Sequence, residues 1–146
     1  ATSDMEGPLE DVLKTSNLLP VFSERLKSAL EANSVPGMQY LPVQILDSSQ
    51  RKLGSYFLVN VLNSVQALNE RLSLVDRTRI KERDGAVKEW ISYIRKTVFF
   101  RSALEGHDII RLPGYFMTIY VSPRFKRIFE DQSFTGIGFL PIELSD

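Results

Sequence analysis

Residues 21–45 read VFSERLKSALEANSVPGMQYLPVQI, and residues 120–144 read YVSPRFKRIFEDQSFTGIGFLPIEL. Set side by side without gaps, ninety-nine residues apart, the two stretches are identical at Ser23/Ser122, Arg25/Arg124, Lys27/Lys126 and Glu31/Glu130. They also agree at Ser34/Ser133, Gly37/Gly136, Leu41/Leu140 and Pro42/Pro141. Other pairs exchange one apolar residue for another: Leu26/Phe125, Leu30/Phe129, Val35/Phe134, Tyr40/Phe139 and Val43/Ile142. Each copy has the same physical reading. The serine hydroxyl caps the free amides that open a helix, and Pro123 suits the first helical position, where an N–H would have no partner. Leu26, Ala29 and Leu30, like Phe125, Ile128 and Phe129, fall three and four apart on one apolar face. Arg25, Lys27 and Glu31 point outward. A glycine turn at Gly37 or Gly136 then leads into a short strand (Met38, Tyr40, Leu41; Ile137, Phe139, Leu140). Two such units in one chain predict a single α+β domain with pseudo-symmetric halves; two copies are too few for a solenoid.

Outward from these units, residues 1–7 read as a loose tail and 8–146 as one domain. Pro8, Leu9, Val12 and Leu13 predict a short helix ending near Asn17. Residues 55–62, SYFLVNVL, are a β-favouring apolar run expected to form a central strand, continued after a kink at Asn63 by Val65, Ala67 and Leu68. Residues 69–85 are polar, with Leu72, Leu74 and Ile80 as isolated anchors, and Arg83-Asp84-Gly85 reads as a hairpin turn. Residues 86–100 fit either a helical face or a strand; the adjacent Asp-Gly turn favours a strand from about 90 to 99. Short strands follow at 107–112 and 115–121, joined by Pro113-Gly114. The expected architecture is a mixed, mainly antiparallel sheet covered on one side by the two repeat helices. Phe57, Val59, Val61, Ile119, Val121 and Phe139 would pack against Leu26, Leu30, Phe125 and Phe129.

A chain of 146 residues is one-domain sized and can bury about two thirds of its unfolded surface without staples. There is no cysteine, which removes disulfides and thiol nucleophiles. Eighteen Lys and Arg balance eighteen Asp and Glu, so no global field draws in nucleic acid or an anionic membrane. No apolar run approaches the length of a membrane span. Position 1 is Ala rather than Met, which leaves an upstream targeting segment or earlier element open.

The only histidine, His107, adjoins Asp108. Neighbours on a strand point to opposite faces, and no GxSxG elbow accompanies them, so a structural role is the better reading. One His and no clustered carboxylates give no metal site. The GIG at 136–138 precedes a strand and lacks a third glycine, unlike a phosphate cradle. Arg124, Lys126 and Arg127 with Arg95, Lys96 and Arg101 are the densest basic groups; interspersed acids make them a solvated surface. Asn60, Asn63, Gln66 and Asn69 recur every three residues. They read as turn and backbone partners, or as a polar recognition surface. No catalytic residue, cofactor or metal is expected.

Four segments, taken together, resemble one family: Tyr56–Val61, the Gln66/Asn69/Ser73 spacing, Ile109–Leu112, and Val121 to Pro141 with its VSPRFK…FTGIGFLP. They are similar to the DUF1629 family, the Imm11-type immunity proteins of bacterial polymorphic toxin systems. LPVFSERLKSALE at 19–31 is similar to that family's upstream helix. The family's two aspartates stand here as Gln66 and Asn69, which keep hydrogen bonds and lose charge; Phe134 replaces a leucine. The resemblance implies a non-enzymatic bacterial, cytoplasmic protein that docks on a cognate protein toxin domain and blocks its active site or substrate access. Such blocking needs an interface of about 1,600 Å², anchored by a few aromatics or arginines. The candidate contacts are Asn63, Asn69, Glu70, Arg71 and Ser73, in the polar segment that interrupts core-forming sequence, with Trp90 and Tyr115 as aromatic additions. A non-catalytic ligand-binding or regulatory domain of a larger protein is the alternative. Neither the toxin nor the oligomeric state is legible in the sequence.

Overall fold

A computed structural model describes residues 9–14 and 19–146. Its two helices, α1 (Glu24–Ala32) and α2 (Pro123–Asp131), are opened by the expected serines. Ser23 and Ser122 lie in extended backbone (φ −65°, ψ 159° and φ −76°, ψ 162°). Each hydroxyl accepts a backbone N–H at 3.1 Å, from Leu26 and Phe125 respectively. Both helices close through a left-handed serine, Ser34 at φ 56° and Ser133 at φ 55°. The N–H that follows, from Val35 or Phe134, returns to the carbonyl of Leu30 at 2.9 Å or Phe129 at 3.1 Å. Orphan carbonyls at a helix end are satisfied in this way.

The strands in chain order are β1 (Val12–Leu13), β2 (Val21–Ser23), β3 (Met38–Leu46), β4 (Lys52–Val61) and β5 (Leu74–Lys81). They continue as β6 (Val87–Lys96), β7 (Val98–Phe100), β8 (Ile109–Leu112), β9 (Tyr115–Val121) and β10 (Glu143–Ser145). An antiparallel sheet runs β1-β2-β4-β3, with Val12 opposite Phe22, Phe22 opposite Phe57 and Met38 opposite Val61. Antiparallel pairs β5–β6 and β8–β9 and a parallel pair β7–β10 complete the α+β fold.

The core falls into two clusters. In the first, Leu26 and Leu30 of α1 and Phe125 and Phe129 of α2 pack with Val59, Val61 and Ile109. Ile119, Val121 and Phe139 are half-buried against them. The second gathers Phe99, Ile110, Leu112, Tyr115, Leu68 and Ile94. Adjacent β8 residues, Ile109 and Ile110, point to opposite faces and so feed one cluster each. Phe57 is half-buried and instead lies under Lys27, whose ammonium is 4.9 Å from its ring centre.

Several elements differ from expectation. The segment expected to be a helix ending near Asn17 holds strand β1 at Val12–Leu13, where pairing with β2 outweighs a short amphipathic pattern; residues 1–8 and 15–18 lie outside the described residues. The strand expected at Ile137, Phe139 and Leu140 does not form. In the first copy β3 lies along the whole edge of β4, whereas the second copy meets a strand only where β10 reaches β7. Residues 64–68 do not continue β4. They touch other strands through single bridges, Ser64 to Arg111 and Leu68 to Phe99. The polar 69–85 segment contains β5, and the turn at Arg83-Asp84-Gly85 joins it to β6. One continuous sheet is replaced by four smaller pieces.

Candidate partner-binding surface

The polar interruption at 69–73 is a knuckle pinned from inside. Asn69, 4 % exposed, accepts the Leu72 N–H on Oδ1 at 3.2 Å and donates from Nδ2 to Ser145 Oγ at 3.0 Å. Its backbone N–H donates to the Val98 carbonyl at 2.8 Å. Ser73, also buried, donates to the same carbonyl at 3.2 Å and accepts the Val98 N–H at 2.9 Å. The Ser73 hydroxyl thus partners both backbone groups of Val98 in β7, while the Asn69 side chain closes the turn onto Leu72 and ties it to β10. Between the pins, Glu70, Arg71 and Leu72 face solvent.

From the knuckle a row of charge runs onto the β5–β6 hairpin. Glu70 accepts from Arg77; Arg77 Nε lies 3.8 Å from Glu89; Arg79 pairs with the same Glu89 at 2.8 Å. The Arg79 hydrogen bond, ahead of its charge and that of Arg77, holds the Glu89 carboxyl below the usual range. Lys88–Glu82 and Arg95–Asp76 flank the row. Such exposed pairs contribute little stability; they fix a pattern of charge. The base of the hairpin is anchored where Ile94, with Val75 and Ile91, packs into the second core cluster. Beyond it the ribbon is exposed, and it carries Trp90 at 41 %, Tyr93 at 56 % and Val87 at 56 %. Aromatics and arginines, here on opposite faces of the ribbon, are the residue types that concentrate binding energy in protein interfaces.

The seven sequence candidates therefore divide. Glu70, Arg71 and Trp90 are exposed; Glu70 joins the Arg77–Glu89 row, whereas Trp90, paired with Thr78, points to the opposite face of the ribbon from Glu89. Asn69 and Ser73 hold the knuckle from below, and Tyr115, 4 % exposed, belongs to the second core cluster. Asn63 is half-buried, with Nδ2 donating to the Ile109 carbonyl at 3.1 Å. Tyr93 and Val87 were missed in the sequence. Only the base of the ribbon meets the core, so no repeating pattern marks which of its outer side chains stay exposed.

The other polar constellation is the pair of helix starts. Ser23 donates to Asp11 Oδ1 at 2.7 Å and Arg25 to Asp11 Oδ2 at 2.8 Å; Ser122 and Arg124 treat Asp108 alike, at 2.7 and 2.6 Å. Burial raises the Asp11 carboxyl, but bonds from Ser23, Arg25 and the Thr135 amide together bring it below its ordinary value. The His107–Asp108 neighbours thus resolve into a helix-start carboxylate and a bystander imidazole. Among the described residues no three His, Asp or Glu side chains gather at metal-binding distance, and no helix is long and apolar enough to cross a membrane.

No curated protein matches the chain. The family model described as "Immunity protein family (Imm11)" matches residues 4–143. With a match over nearly its whole length, and with the cap, arginine and turn residues of its C-terminal motif built into α2 and its flanks, the chain belongs to the Imm11 immunity protein family.

Proposed function

We propose that this protein binds a cognate toxin domain and neutralises it by covering its active site or substrate entrance, without chemistry of its own. The family membership carries this reading. The knuckle and hairpin support it as the docking element: Trp90 and Tyr93 supply apolar anchors on one face of the ribbon, and the Glu70–Arg77–Glu89–Arg79 row supplies a fixed charge pattern on the other. Charge patterns of that kind steer encounter and reject wrong partners. The protein works in the bacterial cytoplasm on this reading, where it meets toxin before or after delivery.

The test is growth rescue. The C-terminal domain encoded by the adjacent gene is expressed in a sensitive bacterium with and without this protein, and the pair is co-purified. Rescue with co-purification is expected. A toxic neighbour that the protein neither binds nor relieves overturns the proposal and favours a ligand-binding domain. Within a positive complex, alanine at Glu70, Arg71 or Trp90 should weaken binding by about tenfold or less each for the charges and more for Trp90, with melting temperature hardly moved. Unchanged affinity in all three removes the knuckle and hairpin from the interface.

A further inference from the structure

Arg111 stands apart from the arginines of the fold that pair with an acid and from those that simply face solvent. Arg25, Arg77, Arg79 and Arg124 each hold a carboxylate. Arg111 is half-buried, its Nε is enclosed without a hydrogen-bond partner, and no carboxylate among the described residues pairs with it. Its backbone is fixed on both sides, donating to the Asn63 carbonyl and accepting from the Val65 N–H, each at 2.9 Å. The enclosed Nε and the Phe116 ring locate the guanidinium. It lies with its carbon 4.9 Å from the centre of the Phe116 ring, in an open cleft of about 340 Å³ whose wall includes Val59, Val61, Thr118 and Ile119. A permanent cation set in apolar surroundings without a counter-charge is a site prepared for an anion, because pairing there is stronger than in water.

We infer that this cleft receives an acidic side chain of the partner protein, one flanked by apolar residues, with Arg111 as its counter-ion. The inference rests on the reading of the chain as a protein-binding module, and it adds a second contact area to the knuckle and hairpin. The surroundings favour a protein over a free small acid. Phe116, which lines the cleft, is 54 % exposed. A small acid filling the cleft would leave it largely bare, whereas a protein surface would cover it, and Arg and Phe are types enriched in interface cores.

The probe is a capped tripeptide, acetyl-Leu-Glu-Leu-amide, titrated into the intact protein by NMR with its Gln counterpart and hexanoate as comparisons. The Glu peptide should shift the Arg111 Nε–H resonance and the amides of Val59 and Thr118 saturably. The Gln peptide should bind about tenfold or more weakly, the loss expected for removing a charge-assisted bond. Arg111→Met should abolish the difference between the two peptides while melting like the parent. Equal responses to Glu and Gln peptides, or no response, overturn the inference. Hexanoate binding as tightly as the Glu peptide assigns the cleft to a small acid and also overturns it. Growth rescue reads the toxin proposal separately. Rescue without peptide discrimination sinks the cleft alone, and discrimination without rescue sinks the toxin reading while supporting the cleft.

Discussion

Asp11 and Asp108 show how much of the polar design a direct alignment conceals. Each takes one hydrogen bond from a cap serine and one from the arginine two residues on. In sequence they stand in Asp11-Val12-Leu13-Lys14 and Asp108-Ile109-Ile110-Arg111, ninety-seven residues apart rather than ninety-nine. A two-residue difference in the connection to the helical unit breaks the register, so the gapless pairing of 21–45 with 120–144 stops short of them. The serines and arginines were legible because they sit inside the helical unit; their carboxylate partners were not. Asp11 also accepts the Thr135 N–H at 3.1 Å, whereas the matching position in the other copy is Pro36, which has no N–H to give. Because the folded carboxyl lies below its ordinary value of 3.8, its contribution is complete above that pH and fades as pH falls through the lowered folded value. Asp11→Asn should therefore cost about 1–3 kcal/mol at neutral pH, the usual loss for bonds to a charged group. The gap from the parent should narrow below about pH 4. Denaturant unfolding at pH 7 and at pH 3 or lower checks this, and a gap of constant size would mean that the carboxylate charge contributes nothing.

At the scale of elements, helices and their caps were readable because capping and three-four spacing are local properties. Strands were readable where an apolar β-favouring run or an adjacent turn marked them, as in β4, β6, β8 and β9. The exposed β5, the short β1 and the missing strand of the second copy were each decided by what lies alongside, which no local pattern records. The turns after the helices carry a mix of both. Gly136 has φ 112°, and a Cβ there would lie 2.2 Å from the Val12 carbonyl oxygen, so β1 closes directly over the turn. Gly138, two residues on, has open space around it and no such backbone. Gly136→Val should lower stability by about 2 kcal/mol or more through combined strain and clash, while Gly138→Ala should fall within about 0.5 kcal/mol of the parent. Thermal melting of the pair decides it; similar losses at both glycines would show that the close approach of β1 is not what constrains the turn.

Taken whole, the molecule divides its core yet shares a wall. Because Ile109 and Ile110 of one strand feed different clusters, loosening either cluster disturbs β8 and through it the other. We therefore expect the proposed single domain, residues 8–146, to unfold in one step. Trp90 fluorescence on the hairpin and far-ultraviolet circular dichroism should give coincident transitions, and an earlier fluorescence transition would make the hairpin a separately melting unit. The two helices are bound more tightly still. Arg25 donates to the carbonyl of Gln132, the residue that ends α2, at 3.1 Å, and Arg124 donates to the carbonyl of Asn33, the residue that ends α1. Each helix is thus finished by a side chain from the opposite end of the chain. On the ribosome this sets an order of events: α1 emerges early but its last carbonyl waits until residue 124 has been synthesised. The nascent first half is held short of its final form until almost the entire protein is in hand.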